Sequence, residues 1–170
     1  YIVNSGIPGL YICGAYQFLG NYYKEADGTK IQGLGILDLF TENPGLNFPR
    51  LIGNIAFEPK IRGEFGMPIM IGFENHGGRT YLGKSIKPFG KVIVGFGNNG
   101  KDRTEGAIYK NSIGSYLHGP ILPKNPHFAD YLIRISLERK YNKQIKLRKI
   151  DEEIEQKARE TVAKRLNIAI

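Results

Sequence analysis

The spacing of apolar residues predicts a strand and a helix at the start of the chain. Leu10 to Ile12 is a short apolar run of the strand type. Ala15, Phe18, Leu19 and Tyr22 then recur at the spacing of one helix face. We therefore expect a strand that turns sharply into a short helix.

The middle of the chain, residues 31–109, has the pattern of strands. Short apolar runs alternate there with Gly, Asn and Pro, which favour turns. The predicted strands are Leu34–Leu39, Leu51–Phe57, Ile69–Phe73, Val92–Phe96 and Ala107–Tyr109. A further strand is predicted over Ile113–Leu117, directly before His118 and a Gly-Pro pair.

Two helices are predicted in the last third of the chain. Asn125 and Pro126 suit the cap and first position of one helix. The other helix follows from apolar residues spaced by four: Ile150, Ile154, Ala158, Val162 and Leu166. We divide the chain into two parts. Residues 1–141 belong to the main domain, and residues 142–170 form a basic linker and a helix that packs on the same domain.

Composition and charge exclude several classes of protein. The chain has 170 residues, 41% of them hydrophobic, and charged, Gly or Pro residues interrupt every apolar run. We therefore expect a folded domain without a membrane span. A single cysteine cannot form an internal disulfide, which favours the cytoplasm.

The net charge of +8 raises the question of nucleic-acid binding. Basic residues between Arg134 and Arg165 alternate with acidic ones, as on a solvated helix face. No stretch combines them with base-stacking aromatic residues. An acidic protein partner, or a phosphorylated substrate held by one, therefore fits this charge better than a nucleic acid does.

Cys13 is the first candidate for chemistry. It stands between the predicted strand and helix and is followed by Gly14 and Ala15, which relieve crowding at a sharp turn. The N-terminus of the helix is expected to lower the pKa of the thiol. The alternative is a buried cysteine that acts as a small hydrophobic residue.

His118 is the second candidate, because a histidine at the end of a strand can act as the base for a nucleophile on a neighbouring strand. The alternative is a hydrogen-bonded turn residue. His76 is a second choice for the base, and His127 has the position of a structural residue in a first helical turn. The histidines and the cysteine lack the spacing of zinc ligands, so we predict no metal site.

Four segments together resemble one enzyme family. Ile12–Gly20 is similar to the nucleophile elbow of class I glutamine amidotransferases, in the branch that includes cobyric acid synthase. The other three segments, Gly33–Asp38, Gly72–Thr80 and Gly114–Pro120, are similar to the amidotransferase subunits of lipid II isoglutaminyl synthases. The resemblance runs from the start of the chain to about Tyr141.

The resemblance implies an α/β, flavodoxin-like fold with three α/β/α layers and additional antiparallel strands. Several strands and helices precede the elbow in the family, including a loop that contributes to the oxyanion hole. The chain is therefore expected to be the C-terminal portion of that domain.

The resemblance also implies roles for individual residues. Cys13 would be the nucleophile, His118 the general base, and the Gly14 backbone N–H an oxyanion donor. Arg50 would bind the α-carboxylate of glutamine. The remaining pocket candidates are Gln17, Glu74 and His76. Many class I enzymes have a glutamate two residues after the histidine, where this chain has Pro120, so the third member would come from elsewhere in the chain or from a partner.

The implied function is the release of ammonia from glutamine for a Mur-ligase-like synthetase of the MurT type, which amidates D-glutamate of lipid II. ATP and Mg²⁺ would belong to that partner, because this chain has no phosphate-binding loop. Three alternatives stay open: a cobyric acid synthase-type domain, a non-catalytic interaction module, and a cysteine hydrolase for peptides or γ-glutamyl compounds.

Overall fold

A computed structural model describes residues 1–61 and 67–170 of the chain. In chain order the elements are β1 (Gly9–Ile12), α1 (Gly14–Phe18), β2 (Tyr22–Lys24), β3 (Lys30–Gln32), β4 (Leu39–Glu42), β5 (Leu51–Pro59), β6 (Met70–His76), β7 (Arg79–Leu82), β8 (Gly90–Val94), β9 (Thr104–Glu105), β10 (Ala107–Tyr109), β11 (Ser112–Ser115), β12 (Leu117–His118), α2 (Pro126–Tyr141) and α3 (Glu153–Leu166).

The strands form three sheets, with orders β1-β11-β10, β12-β6-β5-β8-β9 and β3-β2-β4-β7. Strand β1 runs parallel to β11, and β2 runs parallel to β4. The other pairs among the described strands are antiparallel. The fold is therefore mixed α/β with many antiparallel strands, as the sequence predicts.

Most of the predicted strand Leu34–Leu39 is not a strand, since only Leu39 lies in β4. The backbone N–H of Leu34 donates to the carbonyl of Phe18 at 2.8 Å, and those of Ile36 and Leu37 donate to Leu19 at 2.9 Å. The last carbonyls of a helix have no partner within the helix. This apolar segment therefore caps α1, which ends before Tyr22 rather than after it.

The largest part of the core lies between the five-stranded sheet, the β1-β11-β10 sheet and α2. It is built by buried side chains from all three: Ile55, Phe57, Met70, Phe89, Val92, Ile113, Leu117 and Phe128. The edge-to-face contact of Phe57 with Phe89, at 5.0 Å between ring centroids, joins β5 to the segment that precedes β8. This core fixes β6 and β12 next to each other.

Helix α2 starts at Pro126, after Asn125, as predicted, but the Asn125 side chain makes no capping bond. Its Oδ1 accepts from the backbone N–H of Ile71 at 2.9 Å, and its Nδ2 donates to the carbonyl of Ile121 at 2.7 Å. Oδ1 also accepts a bond from Arg159 at 3.0 Å. Asn125 is thus a buried connection between β6, α2 and α3.

Helix α3 packs against the five-stranded sheet through Val162 and Ala163. The predicted apolar stripe is wrong in its N-terminal half, where Ile150 and Ile154 are 72% and 79% exposed. Arg159 turns inward instead, because its guanidinium donates to the carbonyl of Ile69 and to Asn125. The division of the chain at residue 142 stays a prediction. No helix within residues 1–61 and 67–170 is long and apolar enough to cross a bilayer.

The predicted strand Ile113–Leu117 is interrupted at Tyr116. Strand β11 ends at Ser115, and β12 continues in a different sheet. The buried Glu105 carboxylate accepts hydrogen bonds from the Ser115 hydroxyl at 2.7 Å and from the Tyr116 N–H at 2.9 Å. These two bonds satisfy backbone and side-chain donors that the change of sheet would otherwise leave unpaired.

Glu105→Gln is expected to remove a loss of stability at high pH. Burial raises the pKa of Glu105 from 4.5 to about 7. The folded protein then keeps a proton that the unfolded chain releases, so stability falls as the pH rises through this window. Between pH 6 and 8.5, deprotonation of Glu105 lowers the free energy of unfolding by about 1.4 kcal/mol.

Urea unfolding of the natural protein at the two pH values measures this loss, which Glu105→Gln should abolish. Glu58→Gln, on the exposed side of β5, is the matched control and should keep the loss. An unchanged pH dependence in Glu105→Gln would contradict the assignment.

Candidate active site

Cys13 lies on a strained turn between β1 and α1. Its φ of 52° and ψ of −110° are rare for a residue with a side chain. The Cys13 N–H donates to the carbonyl of Ser115 at 2.9 Å, and its own carbonyl accepts the N–H of Gln17 at 3.0 Å. The turn is thus held on one side by β11 and on the other by α1, which is the geometry of a nucleophile elbow.

The predicted lowering of the Cys13 pKa is wrong. Burial raises the pKa of the half-buried thiol above its usual value of 9.0, and this outweighs the lowering by the Gly14 backbone N–H and by the Arg50 charge. Helix α1 has five residues, so its dipole is too small to reverse the effect of burial. The thiol is therefore protonated at neutral pH and needs a base.

His118 ends β12, three residues after the last residue of β11. Because β1 and β11 are parallel, with Ile12 opposite Ser115, Cys13 and the β12 segment emerge at the same edge of that sheet. Burial lowers the pKa of His118, and the nearby His76 and Arg50 lower it further. Its Nε2 is buried and has no hydrogen-bond partner within the described part of the chain. His118 is therefore a neutral imidazole at pH 7.

Arg50 precedes β5 and is exposed. Its Nε donates to Oδ1 of Asn75 at 3.0 Å, and its Nη2 donates to the Asn75 carbonyl at 3.1 Å. After burial, the Arg50 charge is among the causes that shift the pKa of both Cys13 and His118. The guanidinium is thus close enough to act on both of these side chains.

Gln17 is one turn after Cys13 and is already engaged inside the protein. Its Nε2 donates to the hydroxyl of Tyr116 at 2.9 Å. This bond directs the amide group of Gln17 toward the packed interior.

Glu74 and His76, two of the predicted pocket residues, are buried, with 0% and 1% exposure. Glu74 accepts the backbone N–H groups of Phe96 at 2.7 Å and Gly97 at 2.9 Å. Nδ1 of His76 lies 2.8 Å from the Gly78 carbonyl, to which it can donate only as the protonated ring nitrogen. Both residues hold loops in place, and neither offers an atom to a ligand that arrives from solvent.

Tyr116 is a central residue that sequence reasoning missed. Its ring stacks on His76 with 3.6 Å between centroids, and its hydroxyl lies 2.5 Å from Oγ1 of Thr80. Burial raises the pKa of Tyr116 well above its usual value. Tyr116 lies in the segment Gly114–Pro120, which the family resemblance singles out. An aromatic residue in a predicted strand usually indicates a core position, so the sequence provides no reason to place it at the site.

Asn75 and Arg79 lie within the segment Gly72–Thr80, whose polar side chains stand out in the sequence, but the sequence indicates no specific role for either residue. Arg79 donates to the carbonyls of Gly77 at 2.7 Å and Pro49 at 2.6 Å. Nothing in the local pattern shows that these side chains reach the segment before β5. Arg50 is 25 residues from Asn75 and Pro49 is 30 residues from Arg79, and only the pairing of β5 with β6 brings these residues together.

Within residues 1–61 and 67–170, no group of three or more His, Cys, Asp or Glu side chains is arranged to hold a metal ion. The side chains of the candidate site offer a protonated thiol, a neutral imidazole and a guanidinium. A thiol and an imidazole are suited to acyl transfer, and the guanidinium is suited to bind a carboxylate.

Comparison with known proteins agrees with this geometry. Residues 2–126 match the CobB/CobQ-like glutamine amidotransferase domain. Over 165 residues, which are 97% of this chain and 63% of the relative, the chain is 46% identical to the Staphylococcus aureus lipid II isoglutaminyl synthase (glutamine-hydrolyzing) subunit GatD.

The GatD subunit of Streptococcus pneumoniae is also 46% identical, over 86% of this chain and 54% of the relative. A probable cobyric acid synthase of Methanothermobacter thermautotrophicus is 34% identical, over 79% of this chain and 27% of the relative. The chain thus spans somewhat more than half the length of the GatD proteins it matches. These matches confirm the predicted class of fold, and the chain belongs to the CobB/CobQ-like glutamine amidotransferase domain family.

Proposed function

We propose that this chain belongs to the glutaminase subunit of a lipid II isoglutaminyl synthase and that Cys13 and His118 hydrolyse glutamine. The observation that carries the proposal is the left-handed backbone of Cys13 at a strand-to-helix turn. The higher identity to GatD than to cobyric acid synthase supports lipid II as the final acceptor.

The first chemical step forms a thioester. His118 takes the proton of the Cys13 thiol, and Sγ attacks the side-chain carboxamide carbon of glutamine. The Gly14 N–H, which points toward the sulfur, stabilises the oxyanion of the tetrahedral intermediate. The protonated His118 then gives its proton to the departing nitrogen, so that the carbon–nitrogen bond breaks and ammonia leaves.

The second step restores the enzyme. Water attacks the γ-glutamyl thioester while neutral His118 takes its proton, and the carbon–sulfur bond breaks to release glutamate. The protonated His118 then returns that proton to Sγ of Cys13. Because the Cys13 pKa is raised and the His118 pKa is lowered, both groups start this cycle uncharged. In this scheme the imidazolium and the oxyanion form only when Sγ attacks the carboxamide carbon of the substrate.

Ammonia would pass to a Mur-ligase-like partner of the MurT type in the cytoplasm. That partner would hold ATP and Mg²⁺ and activate the α-carboxylate of D-glutamate in lipid II. A partner would also be able to supply an acid to His118, because Pro120 stands where many class I amidotransferases have a glutamate. Glutamine hydrolysis would then be coupled to assembly of the complex.

Cys13→Ala is expected to separate the two half-reactions. Glutamine-dependent amidation of lipid II by the complex should fall by a factor of about 10³ or more, because no nucleophile remains. Amidation driven by added ammonium chloride should be unchanged. Loss of both activities, in a variant whose urea midpoint is unchanged, would contradict the proposed division of labour.

The reactivity of the Cys13 thiol is expected to increase with pH beyond 9. Burial raises its pKa, so the thiolate fraction keeps growing in that range. The rate of iodoacetamide alkylation, followed by mass spectrometry without glutamine, measures this dependence. At pH 8, Arg50→Gln should be alkylated about two- to fivefold more slowly than the natural protein, because the charge that favours the thiolate is removed. An alkylation midpoint below pH 7 would show a preformed thiolate and refute the prediction.

The glutaminase rate is expected to depend on the synthetase partner. The natural subunit alone should hydrolyse glutamine at least tenfold more slowly than the complex, if the partner orients His118. Steady-state glutamate release, with and without saturating partner, measures the difference. Equal rates would eliminate a partner-supplied catalytic group while leaving the roles of Cys13 and His118 intact.

A further inference from the structure

We propose that Asn75 is a positioning residue for substrate binding: it holds the Arg50 guanidinium so that its Nη1 edge faces the site. This inference rests on the proposed function, in which Arg50 binds the α-carboxylate of glutamine. An exposed arginine samples many rotamers, and fixing it costs conformational entropy. A side chain that fixes Arg50 before glutamine arrives removes that cost from binding.

The hydrogen bonds of Arg50 leave one edge of its guanidinium open. A guanidinium has five N–H donors, distributed over Nε, Nη1 and Nη2. Asn75 accepts one from Nε and one from Nη2, at 3.0 and 3.1 Å. In the described residues, no other hydrogen bond engages this side chain. The Nη1 donors and the second Nη2 donor therefore stay available for a carboxylate, which two parallel N–H groups bind best.

The pairing of β5 with β6 explains why Asn75 reaches Arg50. Leu51 lies opposite His76, and Ile52 lies opposite Asn75. Arg50 comes directly before this paired segment, so the two residues are diagonal neighbours at one end of the strand pair. Diagonal neighbours across antiparallel strands are within reach of a long side chain.

Arg79 fixes the backbone on both sides of this contact. It donates to the carbonyl of Gly77, in the turn after Asn75, and to that of Pro49, directly before Arg50. The two bonds are 2.7 and 2.6 Å long. The backbone positions of Arg50 and Asn75 are thus connected independently of their own side chains. Asn75 then has only to select the orientation of the guanidinium.

Gly77 provides the space for the open edge. A Cβ atom added at Gly77 would lie 3.2 Å from Nη1 of Arg50, closer than ordinary contacts between such atoms. A side chain at Gly77 would therefore shift Nη1 by a few tenths of an ångström. By contrast, a Cβ added at Gly53, on the adjacent strand β5, meets no atom within 4 Å.

The decisive experiment compares Asn75→Ala with the natural protein in complex with its partner. The KM for L-glutamine should increase about tenfold while kcat changes less than twofold, since Asn75 acts on binding and not on the reacting atoms. For L-glutamine methyl ester, which has no α-carboxylate charge, kcat/KM should change less than twofold. Equal losses for both substrates would show a merely structural role and overturn the proposal.

Two variants serve as matched controls. Asn54→Ala removes the same type of side chain from the neighbouring strand, where Asn54 lies opposite Phe73, and should change neither substrate's kinetics. Gly77→Ala should raise the KM for glutamine in the same direction as Asn75→Ala, and Gly53→Ala should not. If Asn75→Ala does not fold, the Gly77 and Gly53 pair still decides the question, and equal behaviour of that pair overturns the proposal.

A second readout does not depend on glutaminase activity. Iodoacetate carries a carboxylate and iodoacetamide does not, so the ratio of their alkylation rates at Cys13 reports how well the Arg50 charge is placed. Asn75→Ala should lower this ratio about threefold or more, and Asn54→Ala should leave it unchanged. A natural protein that hydrolyses neither glutamine nor its ester would refute the proposed function. The alkylation ratio would then still test Asn75, and an unchanged ratio would overturn its role.

Discussion

The change of sheet at Tyr116 is the constraint on which the site depends. Strand β11 is parallel to β1 and fixes the turn at Cys13, whereas β12 pairs with β6 and carries His118. A chain that changes sheet leaves backbone and side-chain donors without partners, and an unpaired buried group is costly. The Glu105 carboxylate accepts hydrogen bonds from two of these donors, the Ser115 hydroxyl and the Tyr116 N–H. A buried carboxylate thus stabilises the chain at the point between the strand that holds the Cys13 turn and the strand that carries His118.

The polar residues around Tyr116 act as a single buried layer. Its hydroxyl joins Gln17 of α1 to Thr80 of β7, and its ring covers His76 of β6. A buried hydrogen-bond network favours the arrangement in which most of its polar groups are paired. Elements from all three sheets thus meet at Tyr116. Gln17 and His76, which the sequence predicts as pocket residues, both contact its side chain.

The positive charge of the candidate site lies on Arg50 and not on the two residues proposed to react. Burial raises the pKa of the Cys13 thiol and lowers the pKa of the His118 ring, so that the proposed nucleophile and base both lack a charge at neutral pH. Arg50 provides the positive charge nearby, and it is held through Asn75 rather than through the reacting residues. A substrate with a negative charge at the right distance is attracted, while a thiol that stays protonated is protected from other electrophiles.

The sequence by itself determined the local elements and the order of the candidate residues. The Cys-Gly-Ala turn after an apolar run, the proline that starts α2 and the early acidic residues of α3 are local signals, and each is decided by residues close in sequence. The segment after α1 was misread because its apolar run caps the helix instead of joining a sheet. Only tertiary structure decided that Arg159 turns inward, that Asn125 joins three elements, and that Asn75 orients Arg50. These contacts connect residues 25 or more positions apart, and a hydrophobic pattern contains no information about which distant polar partners a buried side chain will find.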